Sequence, residues 1–173
     1  MTTERPAPTP HAAQQTIVLV YTSVPSVMAV EAIKKIRGNG GRVVLLGPQI
    51  KGYENAAEIS DSFVFLRQRV TPVYVDPDNR PRRYSPTWAS IVARNLIRKA
   101  TFKPAKRTLG AATLWWMAAR NNRQALHLID SADVITATDA GSIYLVWEAA
   151  RRNRHAAAIN GIGPTLEHLG LAR

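Results

Sequence analysis

Small and polar residues that could contact a ligand occur in three short loops of this chain. Each loop follows a run of apolar, β-branched residues that is typical of a buried strand. The candidate ligand-binding residues are Thr22, Ser23, Gly141, Ser142, Asn160 and Gly161. Ligands of open α/β sheets bind beyond the carboxyl ends of the strands, so these loops are predicted to form one site. The alternative is that Gly, Ser and Asp serve there only to turn the chain and cap helices.

Asp139 is the single candidate for a catalytic residue. It lies just past the end of a predicted strand, where a carboxylate can act as a general base on an attacking hydroxyl. Asp is also a common helix N-cap, and the capping role is favoured, although one residue can do both. Because Asn caps a helix about as well as Asp, the sequence predicts that Asp139→Asn preserves stability and removes only the base.

Recognisable phosphate-binding and metal-binding motifs are missing. GxGxxG does not follow the first strand, and GxxxxGK[ST] does not occur in the chain. The pair Asp76 and Asp78 lies in a Pro-rich, charged stretch typical of a turn, with a divalent-cation site as the alternative. The four histidines lack the spacing of metal ligands, and His127 is expected to pack among apolar neighbours. No metal and no cofactor is therefore predicted.

Positive charge is concentrated in one segment. Residues Arg67 to Arg123 include thirteen Lys and Arg and two acids, whereas the rest of the chain carries ten residues of each sign. Such a field favours phosphates, anionic lipid or nucleic acid, and the alternatives are a solubility feature or an acidic protein partner. The cations predicted to bind an anion or a membrane are Arg82, Arg83, Arg94, Arg98, Lys99, Lys103, Lys106 and Arg107.

Length and composition restrict the class of protein further. A chain of 173 residues, 46% of them apolar, suffices for one domain with a core. The absence of cysteine excludes disulfides and thiolate catalysis. No apolar run is long enough to cross a bilayer, so a cytoplasmic protein, or one peripheral to the inner face of the membrane, is expected. Residues 1–15 are predicted to be a disordered tail, and residues 16–173 a single domain.

Strands and helices alternate in a Rossmann-like pattern that would position the three loops. Because helices separate most of the apolar runs, the runs are expected to pair in parallel. The predicted fold is therefore α/β, with a mostly parallel sheet flanked by helices and a basic helical insertion over residues 67–131. The predicted strands are Ile17–Tyr21, Arg42–Leu46, Ser62–Leu66, Val134–Ala137 and Ala156–Ile159.

The insertion is predicted to contain three helices. They cover Thr87–Ala100, Leu109–Ala119 and Arg123–Ile129, with Phe102–Arg107 as a basic connector. Adjacent helical residues point about 100° apart, so at most one of Trp115 and Trp116 faces a given surface. The favoured interpretation places one in the core and the other over a neighbouring helix. Stacking on a base, or a position at a membrane interface, is the alternative.

Two stretches of the chain carry a family resemblance. TIVLVYTSVPSVMAVEAIKKIRGNGGRVVLLGP joins a strand, a polar loop, a helix and a Gly-punctuated second strand. SADVITATDAGSIYLVWEAARRN joins an Ala-Asp-Val strand, a polar loop and a helix ending in Ala-Ala-Arg. Together they cover about one third of the chain. They resemble the N-terminal, acceptor-side Rossmann-like domain of GT-B-type glycosyltransferases.

The resemblance implies an acceptor-side role in sugar transfer. In that family a second, C-terminal domain holds most of the sugar nucleotide, and this chain is expected to lack it. We therefore expect one half of a split sugar transferase acting on an anionic acceptor such as a lipid phosphate, with a donor-binding protein as partner. Asp139 matches a polar loop near the family's reaction centre, without the usual His-x-His/Asp pattern. The alternatives are a non-catalytic nucleotide- or nucleic-acid-binding module and a scaffold subunit.

Overall fold

A computed structural model describes residues 15–49, 58–67 and 84–172, without the side chains of residues 94–95 and 98–109. Of the predicted tail, only Gln15 belongs to these ranges, and its carbonyl accepts the N–H of Arg42 at 2.9 Å. The elements in chain order are β1 (Thr16–Val20), α1 (Val27–Gly38), β2 (Arg42–Gly47), β3 (Ser62–Phe65), α2 (Pro86–Arg120), α3 (Arg123–Ser131), β4 (Val134–Ala137), α4 (Ile143–Arg152), β5 (Ala157–Asn160) and α5 (Ile162–His168).

The strands form one parallel sheet in the order β3-β2-β1-β4-β5. Each lies within one residue of its predicted position, so the predicted Rossmann-like α/β fold is confirmed. Strands β2 and β3 lie on one side of β1, whereas β4 and β5, which come later in the chain, lie on the other side. The sheet therefore has a topological switch point between β1 and β4, and the loops that follow these two strands lie side by side.

The central strands are mostly apolar because helices cover both faces of the sheet. Val18 and Val20 of β1 pack in one cluster with residues of α2, α3 and α4. Ile17 and Leu19 point to the other face and pack against α1 and the segment around α5. All four β1 side chains are at most 1% exposed, so this strand is the centre of a two-sided core.

The basic insertion differs from its prediction in one respect. Residues 102–107, predicted to be a connector, are helical within α2. Lys and Arg are good helix formers, so a basic run does not end a helix. The break in α2 falls instead at Gly110, whose φ of 75° and ψ of 151° are non-helical. That positive φ suits glycine because an L side chain rarely adopts it.

The tryptophan and histidine side chains at the end of the insertion differ in burial. Trp115 lies in the core, as favoured from the sequence, and Trp116 is partly buried against the same cluster. The expectation that His127 is packed was wrong, because its side chain is exposed. Helix α3 buries Ala125 and Ile129. His127 is two positions from each of them, so its side chain points about 200° around the helix from the buried face.

Candidate functional site

The loops after β1 and β4 meet at the carboxyl edge of the sheet. The N–H of Thr138 donates to the carbonyl of Val20 at 2.9 Å, which continues the strand pairing to the point where the loops begin. Five of the predicted site residues come together there: Thr22, Ser23, Asp139, Gly141 and Ser142. The predicted convergence of the first two loops therefore holds within the described residues.

The Asp139 carboxylate is the centre of this cluster. Its Oδ2 accepts the N–H of Thr22 at 2.6 Å, and the N–H and hydroxyl of Ser23 at 3.0 and 3.1 Å. Its Oδ1 accepts the Thr22 hydroxyl at 2.7 Å and the N–H of Ser142 at 2.9 Å. Both oxygens are thus engaged by the chain itself. The carboxylate links the β1 loop to the start of α4.

The ionisation of Asp139 follows from these contacts. Burial by itself would raise the pKa of the carboxyl, but the hydrogen bonds from Thr22 and Ser23 favour the charged form and outweigh burial. The pKa therefore lies below the ordinary value of 3.8. A carboxylate that is this acidic and accepts five hydrogen bonds is a weak proton acceptor. The geometry favours the linking role over the general-base role, and the latter remains a prediction.

Ser142 stabilises the same loop from the buried side. It is fully buried, and its hydroxyl donates to the backbone carbonyl of Asp139 at 2.7 Å. Helix α4 begins immediately afterwards, so the Asp139 carboxylate sits at the positive end of the helix dipole, where a negative charge is favoured. Ser142 consequently stabilises the loop rather than presenting a surface to a ligand.

Gly141 lies against Thr22 with no room for a side chain. A Cβ atom at this position would collide with the Thr22 hydroxyl oxygen and would stand 3.3 Å from Asp139 Oδ1. The turn of the second loop therefore depends on glycine because of the close approach of the first loop.

We predict that Gly141→Ala displaces Thr22 and destabilises the fold by about 1–3 kcal/mol, the usual cost of overpacking. Urea unfolding followed by circular dichroism would measure the change. Gly38→Ala is the matched control because a Cβ there meets nothing within 4 Å and the residue is the last of helix α1. Alanine should be neutral or stabilising at that position. Equal effects of the two substitutions would contradict the close packing of the two loops.

The third predicted loop reaches the same edge, beside β4. The N–H of Gly161 donates to the carbonyl of Ala137 at 2.9 Å, and Asn160 before it is exposed. Behind this loop the hydroxyls of Thr136 and Thr165, both fully buried, lie 2.9 Å apart. Thr165 also donates to the carbonyl of Gly161 at 2.8 Å. This buried pair anchors α5 to the sheet and was not foreseen from the sequence.

Exposed groups around the edge define what a ligand could touch. Ser23 and Asn160 offer polar side chains, while Val24, Val27 and Met28 form an apolar border and are 53%, 80% and 69% exposed. A groove of about 600 Å³ runs between α1 and α5 next to this border. Its walls include Met28, Ala32, Ile162, Leu166 and Lys35.

Asn153 is a second structural residue that sequence reasoning missed. Its side-chain amide donates to the carbonyls of Ile129 and Ala132 at 2.8 and 2.9 Å, and to that of Asp130 at 3.3 Å. Its Oδ1 accepts the N–H of His155 at 3.1 Å. One buried side chain thus ties the end of α3 to the end of α4. A lone Asn after a helix resembles an ordinary C-cap, so the pattern alone could not reveal these partners.

Several predictions fall outside the described residues. They concern Asp76, Asp78, Arg82 and Arg83, which lie outside the described ranges. They also concern cations whose backbone belongs to α2 but whose side chains are not described: Arg94, Arg98, Lys99, Lys103, Lys106 and Arg107. In the part of the chain that is described, no group of three or more His, Asp or Glu side chains is placed to hold a metal ion. No helix in the same ranges has the length and apolarity needed to cross a membrane.

The fold and the edge cluster define a Rossmann-like α/β protein with polar loops at its topological switch point. Comparison with known proteins assigns it to no family. No family model matches the chain, and no curated protein matches it significantly.

Proposed function

We propose that this chain is the acceptor-side, Rossmann-like domain of a sugar transferase, completed by a separate donor-binding protein. The observation that carries the proposal is the meeting of polar loops at the switch point between β1 and β4, since open α/β sheets bind their ligands at such points. The resemblance of two stretches of the chain to acceptor-side domains supports the same function.

The proposed acceptor is a lipid phosphate presented at a membrane surface. The segment from Arg67 to Arg123, with thirteen cations and two acids, would attract an anionic surface. At the carboxyl edge, the exposed side-chain amide of Asn160 could donate a hydrogen bond to a phosphate. The exposed hydroxyl of Ser23 could do so only by giving up Asp139 as its acceptor. The apolar border beside them, which includes Val27 and Met28, is suited to the lipid chain.

Asp139 has a positioning role in this proposal. Its carboxylate holds the N–H groups and hydroxyls of Thr22 and Ser23 in place. To act as a base toward an acceptor hydroxyl, it would have to exchange one of these donors for the acceptor. The general-base hypothesis therefore requires a rearrangement of the β1 loop upon binding.

Vesicle flotation with the full chain tests the proposed acceptor. We expect binding to phosphatidylcholine vesicles that contain a polyprenyl phosphate, stronger than to vesicles with an equal fraction of phosphatidylglycerol. Pure phosphatidylcholine should not bind. A chain that ignores these vesicles and instead binds duplex DNA or RNA with a steep salt dependence would overturn the proposal in favour of a nucleic-acid-binding module.

Charge substitutions can distinguish the contribution of the carboxyl edge from that of the basic segment. Asn160→Asp places a negative charge at the carboxyl edge and should weaken polyprenyl phosphate binding several-fold through like-charge repulsion. His155→Asp, in the turn before the same strand and thus away from the carboxyl edge, is the matched control and should have little effect. Reversing Arg94, Arg98 and Lys99 to Glu should weaken binding to both anionic vesicles. Equal effects of Asn160→Asp and His155→Asp would argue against a site at this edge.

A further inference from the structure

Strand β5 is the last strand of the sheet, and its outer side is open in the described part of the chain. The N–H groups of Ala157 and Gly161 donate to Asp133 and Ala137 on the β4 side. Because backbone groups alternate along a strand, those of Ala158 and Asn160 point the other way, into the open edge. These two residues are exposed. The edge thus offers two N–H groups and two carbonyls for pairing with another strand.

Edge strands of this kind are usually protected. Proteins place Lys, Pro or a bulge on them, or cover them with another element. β5 is only four residues long, which is itself one such protection, but its sequence, Ala-Ala-Ile-Asn, contains neither Lys nor Pro. The amides of Ala158 and Asn160 therefore remain competent to pair.

A second copy of the chain fits this edge in one antiparallel register. If the two-fold axis passes through Ile159, then Ala158 of each copy lies opposite Asn160 of the other. Both outward residues of each copy then exchange hydrogen bonds, four in total. Shifting the register by two residues leaves only one such pair of residues, so the centred register is the best one. It also brings together the two Ile159 side chains, which are partly buried against the core.

The surroundings of β5 are compatible with this register. Arg154 and His155 lie in the turn that precedes the strand. In an antiparallel pair the turns of the two copies lie at opposite ends of the paired strands, so these cations do not face their counterparts. On α4, Arg152 pairs with Asp130 and marks the flank that faces α3. Ile143 and Trp147 lie about 180° and 140° around the helix from Arg152. They are 41% and 53% exposed, and the Arg151 guanidinium over the Trp147 ring is paired with Glu148 at 3.5 Å.

We infer that β5 is a dimerisation edge, at which two copies of this chain join their sheets across a two-fold axis at Ile159. The inference is independent of the function proposed above.

Cysteine cross-linking tests the register, and the chain is well suited to it because it contains no cysteine. Opposed residues of a non-hydrogen-bonded antiparallel pair have Cα atoms about 4.5 Å apart, within the range of a disulfide. Ile159→Cys is therefore expected to form a covalent dimer upon mild oxidation. Ala157→Cys is the control, since the two copies of residue 157 would be about 14 Å apart along the strands. Cross-linking at 157 but not at 159 would overturn the inferred register.

Sedimentation of the cysteine-free chain tests the dimer itself. We expect twice the chain mass of 19.0 kDa at micromolar concentration. Ala158→Pro removes an outward N–H without removing a bond to β4, and should weaken the dimer by about tenfold or more. Ala158→Thr keeps the N–H and should remain dimeric. A monomeric parent chain, or an Ala158→Pro variant that dimerises as strongly as the parent, would overturn the inference.

Discussion

Asp139→Asn is expected to destabilise the folded chain by about 2–4 kcal/mol, since charge-assisted hydrogen bonds to buried groups are worth roughly 1.5–3 kcal/mol each. Asparagine carries an NH₂ group in place of one carboxylate oxygen. Each oxygen of Asp139 accepts at least one backbone N–H. Oδ2 accepts those of Thr22 and Ser23, and Oδ1 accepts that of Ser142. The amide would therefore direct a donor at a donor. The sequence-based expectation that Asn preserves stability considered the cap alone and does not fit this geometry.

Urea unfolding of Asp139→Asn beside Asp130→Asn would measure this effect with a matched control. Asp130 makes an exposed two-pronged ion pair with Arg152 at 2.6 and 2.7 Å. An exposed pair of this kind contributes about 1 kcal/mol or less. If the two substitutions destabilised the chain equally, the linking role of Asp139 would be contradicted.

The acid sensitivity of the fold should change with the same residue. The pKa of Asp139 is lowered in the folded chain, so its contribution to stability is present above the unfolded value near 3.8 and is lost as the pH falls through the folded pKa. Asp139→Asn should consequently be less stable than the parent at neutral pH and should lose less stability upon acidification below about pH 4. The free energy of unfolding of the parent and of Asp139→Asn would be measured from neutral pH into this range. If the carboxylate were not held by its donors, the two curves would run parallel.

Asn153→Ala is expected to be the second large effect, with a loss of about 2–4 kcal/mol. The substitution removes the donor shared by the carbonyls of Ile129, Asp130 and Ala132, and buried polar groups left unsatisfied cost about 1–3 kcal/mol each. Thermal or urea unfolding would measure the loss. Asn39→Ala is the control, because the exposed Asn39 side chain makes one bond, to the carbonyl of Lys35 at 2.8 Å. A similar small loss in both variants would show that the Asn153 contacts contribute little.

The strands were predictable because burial on both faces requires continuous apolar runs. Ile17–Tyr21 and Val134–Ala137 are such runs, and the loops after them were expected to meet once the strands were taken to be parallel. The pairing of β1 with β4 brought Thr22 and Asp139 together across 117 positions of the sequence. A pattern within one segment carries no information about such a partner, so the four donors that Thr22 and Ser23 direct at Asp139 could not be foreseen.

Errors in the prediction have a similar physical origin. The basic run at 102–107 was interpreted as a connector from its charge, although charge does not oppose helix formation, and Gly110 provides the actual break. Asn153 and the Thr136–Thr165 pair satisfy buried backbone and side-chain groups of distant elements. Their roles depend on which elements are neighbours in space, and they become visible only in three dimensions.

Amide chemical shifts of the ¹⁵N-labelled chain, followed by NMR during titration with a short-chain isoprenyl phosphate, test the central claim most directly. The largest shifts are expected at the carboxyl edge, at the amides of Ser23, Ala140, Asn160 and Gly161. Amides at the opposite edge, such as those of Asp133 and His155, should stay unchanged. Shifts confined to the basic segment between Arg67 and Arg123, or no shifts at all, would contradict an acceptor-phosphate site at the junction of β1 and β4.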